Sequence, residues 1–299
     1  MRFLVTGVSG QIGSEAARCF GKLGEVIAAD RSVLDLSQPS TLDARLDQLS
    51  PDVIINSAAY TAVDRAEDER DLAFTVNSES PGVIARWAAA HGVPMVHLST
   101  DYVFDGSGDR PWREDDPVAP LSAYGASKLA GEDNIRAAAG PHLIIRTSWI
   151  YAASGTNFLR TIARLARERD ELKIVTDQIG APTSAVFVAE TLAAVVGNNS
   201  RGLAAAFSKA KGKVHLAAGG STSWHGFAVA IAAGMRKRGA VLVVQKIWPI
   251  PSKDYPTKAV RPLNSRLDLS RLQDVFGVAP TPWETLLDRE LDAMLALQP

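Results

Sequence analysis

Short runs of β-branched and other apolar residues alternate with Ala-rich segments of helical length over the first 150 residues or so. Such alternation is typical of βαβ units, in which strands form a parallel sheet and helices cover its faces. Because parallel crossovers are almost always right-handed, the pattern predicts a Rossmann-type, doubly wound α/β fold. The five predicted buried strands span residues 3–6, 26–29, 53–56, 95–99 and 143–147, and the predicted helices span residues 11–23, 39–49, 71–91 and 122–139.

The alternation loosens after residue 150, where prolines become denser. We interpret this part of the chain as a smaller C-terminal lobe that binds substrate. A helix over 185–196 and a strand over 214–217 are predicted to return to the main sheet. The predicted NAD(P)-binding Rossmann domain therefore comprises residues 1–150 and roughly 185–217. The predicted lobe comprises roughly 151–184 and 218–299.

Composition narrows the class of protein. The 299 residues are 46% hydrophobic and carry a net charge of −1, which disfavours disorder and binding of nucleic acid through a basic surface. The single cysteine, Cys19, excludes an internal disulfide. The chain enters its first predicted strand without a signal-peptide pattern, and no apolar run reaches the roughly 18 residues that span a membrane. We therefore expect a cytoplasmic protein without a membrane segment.

A glycine-rich turn follows the first predicted strand. Gly7, Gly10 and Gly13 have the spacing G-x-x-G-x-x-G at the point where a helix opens, with Ser9, Gln11 and Ile12 between them. Glycines at these positions permit a tight turn, close approach of a pyrophosphate, and close packing of helix on strand. The free N–H groups of the helix N-terminus favour phosphate. Taken alone, the turn also fits a purely structural role, because glycine-rich turns are common.

The end of the second predicted strand adds to the cofactor hypothesis. Asp30 lies 17 residues beyond Gly13, where a carboxylate can accept hydrogen bonds from ribose hydroxyls. Asp30 favours NADH because it repels a 2′-phosphate, whereas the adjacent Arg31 can pair with one. The sequence leaves NADH and NADPH open, and Asp30 also suits an ordinary turn.

A tyrosine and a lysine share one face of a predicted helix. Tyr124 and Lys128 are four residues apart, and a nearby ammonium is expected to lower the pKa of the phenol and make it a usable acid or base. Thr100 ends the fourth predicted strand, at the sheet edge where ligands of open α/β folds bind. Its hydroxyl is placed to hydrogen-bond a substrate carbonyl. Together with the glycine turn, and in this order along the chain, these features favour a catalytic site over a chance arrangement.

Seven segments along the chain form a recognisable set: residues 6–13, 56–64, 99–104, 124–128, 146–151, 177–183 and 261–267. Together they resemble the extended short-chain dehydrogenase/reductases and, within them, the dTDP-4-dehydrorhamnose reductase family. The resemblance covers nearly the whole chain, and its later segments are the more discriminating.

The resemblance implies NAD(P)H-dependent reduction of the C4 ketone of dTDP-4-dehydro-L-rhamnose to dTDP-L-rhamnose. It implies Tyr124 as proton donor, Lys128 as the residue that holds the nicotinamide ribose, and Thr100 as the residue that orients the carbonyl. The other implied cofactor contacts are Asp35, Leu36, Ala58, Ala59, Tyr60 and Thr61, and the implied substrate contacts are Asp101, Trp149, Arg261 and Arg266. An aromatic such as Trp149 also suits a core position, and arginines such as Arg261 and Arg266 also suit a solvated surface.

Some members of the family hold a magnesium ion between carboxylates at a dimer interface. Glu15 matches one such position, but Val186 and Ala293, which we aligned with the other two, cannot ligate a hard cation. No metal site is therefore expected. The histidines, His91, His97, His142, His215 and His225, lack metal-ligand spacing and are interpreted as structural.

Partners and alternatives follow from the same resemblance. The expected partner is a dTDP-sugar, with functional coupling to the upstream epimerase and a monomeric or homodimeric state. One alternative is another nucleotide-sugar reductase or an epimerase of the same fold, which would keep its cofactor tightly bound. The other is a noncatalytic nucleotide-binding regulatory subunit, which would not need Thr100, Tyr124 and Lys128.

Overall fold

A computed structural model of the chain describes residues 1–296; the last three residues of the predicted lobe, 297–299, lie outside the described part. Its centre is a six-stranded, all-parallel sheet in the order β2-β1-β3-β4-β5-β10. The strands of the chain are β1 (Arg2–Thr6), β2 (Glu25–Ala29), β3 (Val53–Asn56), β4 (Met95–Thr100), β5 (His142–Thr147), β6 (Ile150–Tyr151), β7 (Glu171–Val175), β8 (Ile179–Gly180), β9 (Thr183–Ser184), β10 (Lys213–His215), β11 (Thr222–Ser223) and β12 (Lys246–Ile250).

Helices cover both faces of the central sheet. They are α1 (Gln11–Phe20), α2 (Leu42–Leu49), α3 (Arg70–Phe74), α4 (Ser80–His91), α5 (Ala123–Ala137), α6 (Phe158–Glu168), α7 (Ala185–Asn198), α8 (Leu203–Lys209), α9 (Trp224–Lys237), α10 (Ser270–Phe276) and α11 (Trp283–Ala296). Within residues 1–296, no helix is long and apolar enough to cross a membrane.

Alternation of side chains along β1 divides the core into two layers. Phe3 and Val5 join the layer that contains α1 and α7, whereas Leu4 joins the layer that contains α2 and α4. Ile54 of β3 lies in the second layer with Leu4. Because successive strand residues face opposite sides, this near-continuous apolar run is typical of a strand buried on both faces.

The predicted doubly wound fold is confirmed, and after residue 150 the chain adds one more strand to the sheet. The strand β10 pairs in parallel with β5, through Val214 and Ile145. Its helix α7 packs beside α1. The exact division of the chain into two domains stays a prediction.

Two expectations about these elements are wrong. The strand β2 is not buried throughout, because it is an edge strand whose Glu25 and Ala28 are exposed. The single helix predicted over 71–91 is instead α3, a π-helical turn over Thr75–Glu79, and α4. The turn buries the polar side chain of Asn77, which hydrogen-bonds a neighbouring loop, and hydrophobic periodicity carries no signal for such a bulge.

Apart from β10, the strands after β5 form small two-stranded sheets, in a region that we call the C-terminal part. The strands β7 and β12 pair in parallel, β8 pairs antiparallel with β11, and β6 pairs with β9. Helices α6 and α11 pack on α9, which supplies the buried residues Phe227 and Ile231. Backbone hydrogen bonds that join residues 264 and 266 to residues 106 and 112 tie this part to the loop after β4.

Candidate active site

The glycine turn between β1 and α1 has the backbone that the sequence predicts. Gly7 has a φ of +68°, and a Cβ there would lie 2.8 Å from Cα of Ala58. A Cβ on Gly13 would lie 2.1 Å from the carbonyl oxygen of Gly7, so helix and turn are in direct contact. Gly10 begins α1 without a side-chain cap, which leaves N–H groups free for an anion. The side-chain oxygen of Gln11 is buried without a hydrogen-bond partner, so a polar ligand group fits beside it.

The residues predicted to hold the adenosine lie on the loop after β2. Asp30 accepts hydrogen bonds from the backbone and hydroxyl of Ser32, which lower the pKa of its carboxyl and keep it ionised. Arg31 beside it is exposed. Asp35 makes the same kind of turn with Ser37. The last two predicted positions on this loop are Asp35, which is half-buried, and Leu36, which is buried.

The loop after β3 carries Ala58, Ala59, Tyr60 and Thr61 at the same edge of the sheet as the glycine turn. The N–H of Ala58 donates to Oγ1 of Thr6 at 3.1 Å, which fixes this loop against β1. The backbone of Tyr60 is held by Asn77, whose Oδ1 accepts its N–H at 2.8 Å. Sequence analysis missed Asn77, because its burial depends on the π-helical turn.

Thr100 and Asp101 stand where β4 ends. Oγ1 of Thr100 accepts the N–H of Tyr102 and donates to Oδ1 of Asp101 at 3.1 Å. Burial raises the pKa of Asp101 to about 6, although hydrogen bonds from Ser265 and Thr100 oppose the shift. Oδ2 of Asp101 is buried without a partner, so the carboxyl can accept a ligand hydroxyl.

Tyr124 and Lys128 lie on α5, which is capped by the Ser122 hydroxyl. The Thr100 hydroxyl lies beside the Tyr124 phenol and lowers its pKa, so the predicted acid and the predicted carbonyl-orienting hydroxyl lie next to each other. Lys128 is 2% exposed, and its Nζ donates to the carbonyl oxygen of Leu98 at 2.6 Å. Burial lowers the pKa of Lys128 to about 8, although the carboxylate of Glu132 opposes the shift.

The expected direction of the Tyr124 pKa is wrong for this arrangement. Burial raises the pKa of Tyr124 to about 12, and the hydrogen bond with Thr100 only partly offsets it. Helical spacing places Lys128 on the same face, but its Nζ is engaged by Leu98 and by His97. The spacing of Tyr124 and Lys128 predicts that they share a face of the helix, but it does not predict which atoms of β4 the Lys128 amine contacts.

Trp149 follows β5 and is held by aromatic contacts. Its φ of +50° is uncommon for a bulky residue and is a local strain. Its ring stacks on Trp224 with centroids 3.7 Å apart and planes at 9°. A Cβ on Gly180 would lie 2.6 Å from the Trp149 ring, so the ring fills the space of a side chain. Trp224 is in turn bonded from Nε1 to Oε1 of Gln178 at 3.1 Å.

Sequence analysis did not single out Trp224 or assign a role to Gln178. Trp149 is half-buried, which fits neither a pure core position nor a fully exposed one. The motif that contains Gln178 was visible, but nothing in it indicated a partner some 46 residues away on α9.

The two predicted diphosphate ligands have protein partners. Nη2 of Arg261 donates to Asp64 at 2.7 Å, and Nε of Arg266 donates to Asn264 at 2.8 Å. Both guanidinium groups are partly buried, so neither is a freely solvated arginine. The Arg261 contact joins the C-terminal part to the loop after β3.

Carboxylates near Glu15 come from other residues than those that sequence analysis aligned with it. Glu290 is buried, and burial raises the pKa of its carboxyl, with smaller contributions from the negative charges of Glu15 and Glu190. Its Oε2 accepts the N–H of Ala153 at 2.6 Å. Across residues 1–296, no three His, Cys, Asp or Glu side chains are gathered closely enough to hold a metal ion.

The chain matches known proteins over nearly its whole length. The model of the family described as the RmlD substrate binding domain matches residues 1–296. A dTDP-4-dehydrorhamnose reductase of Burkholderia thailandensis is 47% identical over 286 residues, which is 95% of each chain.

Solved structures give the same result. A dTDP-4-dehydrorhamnose reductase from Clostridium acetobutylicum is 36% identical, with a TM-score of 0.89 over 99% of this chain and 100% of that one. One from Bacillus anthracis, in complex with NADP, is 31% identical, with a TM-score of 0.86 over 98% of this chain and 99% of that one.

Proposed function

The chain belongs to the dTDP-4-dehydrorhamnose reductase family, and from that premise we propose that it reduces the C4 ketone of dTDP-4-dehydro-L-rhamnose to dTDP-L-rhamnose with NAD(P)H. The observation that carries the proposal is the contact between the Tyr124 phenol and Thr100, with Lys128 one turn further along the same helix. A proton donor and a second hydroxyl thereby meet at the carboxyl edge of the sheet, where a carbonyl can be bound.

The glycine turn supports binding of a dinucleotide. The close approaches at Gly7 and Gly13 leave no room for side chains, and α1 begins with uncapped N–H groups. We propose that this turn holds the pyrophosphate, that Asp30 and Arg31 meet the adenosine ribose, and that Lys128 and Tyr124 meet the nicotinamide ribose. When bound, NAD(P)H supplies the hydride.

Other proposed cofactor contacts complete the set. They are Ser9, Gly10, Gln11 and Ile12 on the turn, Asp35 and Leu36 after β2, and Ala58, Ala59, Tyr60 and Thr61 after β3.

Tyr124 is the proposed proton donor. A phenol whose pKa is raised to about 12 is protonated at neutral pH, so it is in the right state to donate to the C4 oxygen. The O–H bond of the phenol breaks as the new alcohol forms, and the phenolate that remains regains a proton from water. Burial makes that phenolate costly, so a cationic Lys128 and the Thr100 hydroxyl act where negative charge develops.

The sugar nucleotide is proposed to lie between β4, β5 and the C-terminal part. The unpartnered Oδ2 of Asp101 suits a sugar hydroxyl, and the ring of Trp149 suits a sugar or thymine face. Arg261 and Arg266 are proposed to face the diphosphate, for which a guanidinium fork is well shaped. For Arg261 this means exchanging the carboxylate of Asp64 for phosphate oxygens.

The wider setting is part of the same proposal. Action on nucleotide metabolites fits a cytoplasmic enzyme, either monomeric or homodimeric. The keto sugar is unstable, so we propose functional coupling to the epimerase that produces it. An assay that supplies purified keto sugar without that epimerase tests whether the coupling is needed.

The direct test follows absorbance at 340 nm when NADH or NADPH is mixed with the protein and freshly prepared dTDP-4-dehydro-L-rhamnose. We expect oxidation of the cofactor matched by formation of dTDP-L-rhamnose. Tyr124→Phe should abolish turnover while cofactor binding persists. Tyr102→Phe is the matched control, because its ring lies 5.6 Å from that of Tyr124 but no proton transfer is assigned to it.

Two results would overturn the proposal. One is full activity in Tyr124→Phe, which would remove the phenol from the mechanism. The other is absence of turnover in a protein that binds cofactor, which would favour a regulatory role or another sugar. A protein that retains NAD through purification and interconverts sugar epimers would favour an epimerase.

A further inference from the structure

A series of hydrogen bonds through buried side chains connects Ala58, in the loop after β3, with Lys128 on α5. The N–H of Ala58 donates to Oγ1 of Thr6 at 3.1 Å, and the Thr6 hydroxyl donates to Oδ1 of Asn56 at 2.7 Å. The Nδ2 of Asn56 is 2.9 Å from Nδ1 of His97, and Nε2 of His97 is 3.1 Å from Nζ of Lys128. Thr6, Asn56, His97 and Lys128 are each at most 2% exposed, so water does not compete for these bonds.

The order of donors along this chain determines the tautomer of His97. A backbone N–H can only donate, so Oγ1 of Thr6 accepts from Ala58 and its one hydrogen goes to Asn56. The Asn56 amide then turns its NH₂ group towards His97, whose Nδ1 must accept. Burial and the neighbouring Lys128 keep the pKa of His97 well below its usual value, so the ring is neutral and its hydrogen is on Nε2.

This tautomer matches an amine better than an ammonium at Lys128. The Nε2–H of His97 needs an acceptor, and only the neutral amine offers a lone pair. An ammonium presents three hydrogens and no lone pair, so it fits only after the ring hydrogen moves to Nδ1 and the Asn56 amide turns over. That rotation would in turn break the bond from Thr6.

We propose that His97 is a positioning residue that couples the protonation of Lys128 to the hydrogen-bonded pair of Thr6 on β1 and Asn56 on β3. The other titratable group that acts on Lys128 is Glu132, one turn further along α5, and its carboxylate is held by Arg146 and Ser99. The chain of hydrogen bonds therefore sets the pH at which Lys128 becomes a cation. Its importance for catalysis rests on the proposed function, whereas the coupling itself does not.

The test measures the titration of Lys128 directly, by NMR of protein labelled with ¹³C at the lysine ε carbon, from pH 6 to pH 10. The spectrum of Lys128→Arg identifies the resonance. Thr6→Val removes the hydroxyl that orients Asn56 and that accepts the N–H of Ala58, and the substitution is uncharged and close to isosteric. His97→Gln removes the imidazole N–H that faces Lys128 and offers an amide oxygen that can accept a hydrogen bond from the ammonium. Both variants should raise the midpoint of the Lys128 titration by about half a pH unit or more. A shift of this size corresponds to a fraction of the free energy of one hydrogen bond to a charged group.

The matched control is Thr147→Val, which removes a buried hydroxyl at the end of β5 that has no hydrogen-bond partner. Its midpoint should equal that of the parent chain. An unchanged or lowered midpoint in folded Thr6→Val or His97→Gln would overturn the coupling. If His97→Gln does not fold, as judged by circular dichroism, Thr6→Val alone decides.

Activity gives an independent second measurement. In Thr6→Val, the alkaline limb of kcat/KM should move to higher pH by the same amount as the NMR midpoint. A shifted midpoint in a protein with no reductase activity would uphold the coupling and contradict the proposed function. Reductase activity in a protein whose midpoint is not shifted would uphold the proposed function and contradict the coupling.

Discussion

Removing Glu132 should destabilise the chain far more than removing an exposed partner of an ion pair with an equally short contact. Glu132 and Arg146 are 0% and 1% exposed and are joined by two hydrogen bonds of 2.9 and 2.6 Å. Ser99 donates to the same carboxylate at 2.6 Å, and the guanidinium lies over the ring of Phe104, 5.0 Å from its centroid. Glu132→Leu leaves that guanidinium buried without its counter-ion.

The expected cost follows from that burial. Breaking a buried pair by removing one partner costs about 3–5 kcal/mol, because the remaining charge is uncompensated. For a chain of this size the loss corresponds to a fall in Tm on the order of 10 °C. Replacing both partners, as in Glu132→Leu with Arg146→Met, should recover about 2 kcal/mol or more, since no unpaired charge remains.

Urea unfolding at pH 7, followed by circular dichroism, measures these differences. The control is Glu168→Leu, because Glu168 and Arg164 are also 2.6 Å apart but lie exposed on α6, and its cost should be below about 1 kcal/mol. A Glu132→Leu variant as stable as Glu168→Leu would refute the reasoning. So would a double variant that loses as much stability as the two single variants added together.

The dependence on pH has a definite sign. The bonds from Arg146 and Ser99 outweigh burial and hold the pKa of Glu132 below its ordinary value of 4.5. A carboxyl whose pKa is lower in the folded state contributes stability above the unfolded pKa and loses it as the pH falls through the folded pKa. The difference between the parent chain and Glu132→Leu should therefore be full at neutral pH and should shrink in acid.

Three further predictions concern the candidate site. Gly13→Ala should weaken cofactor binding at least tenfold, because the added Cβ would lie 2.1 Å from a carbonyl oxygen of the turn; unchanged affinity by fluorescence titration would contradict this. Trp224→Leu should raise KM for the sugar nucleotide about tenfold with little effect on the cofactor dissociation constant, because it removes the stack that holds Trp149. Asp101 should accept a sugar hydroxyl more weakly once it is protonated, because it loses the negative charge, so KM should rise as the pH falls through about 6, and Asp101→Asn should remove that transition from the KM profile.

Elements with a strong local signal could be predicted from the sequence. Glycine spacing gave the turn at Gly7, because its positive φ and close contacts exclude other residues. Hydrophobic runs gave the strands, since β3 and β4 are buried on both faces. The position of Thr100 relative to Tyr124 followed from the rule that carboxyl ends of parallel strands share one edge.

Features that depend on contacts between distant segments could not be predicted. The pairing of Arg261 with Asp64 joins residues 197 apart, and the stack of Trp149 on Trp224 joins two separate elements. The direction of the Tyr124 pKa depends on burial, which spacing along a helix does not report. In the sequence, His97 is one residue of a mostly apolar strand, so its neighbours do not indicate that it contacts Lys128.

The position of β10 has a consequence for synthesis of the chain on the ribosome. Strand β5 ends at Thr147, but its outer neighbour is not complete until His215. During translation of the intervening residues, the nascent sheet therefore presents β5 as an apolar, unpaired edge, which is a site for aggregation. A fragment that stops near residue 150 would keep that edge permanently. Truncation at this point should yield insoluble protein, even though the fragment includes Thr100, Tyr124 and Lys128.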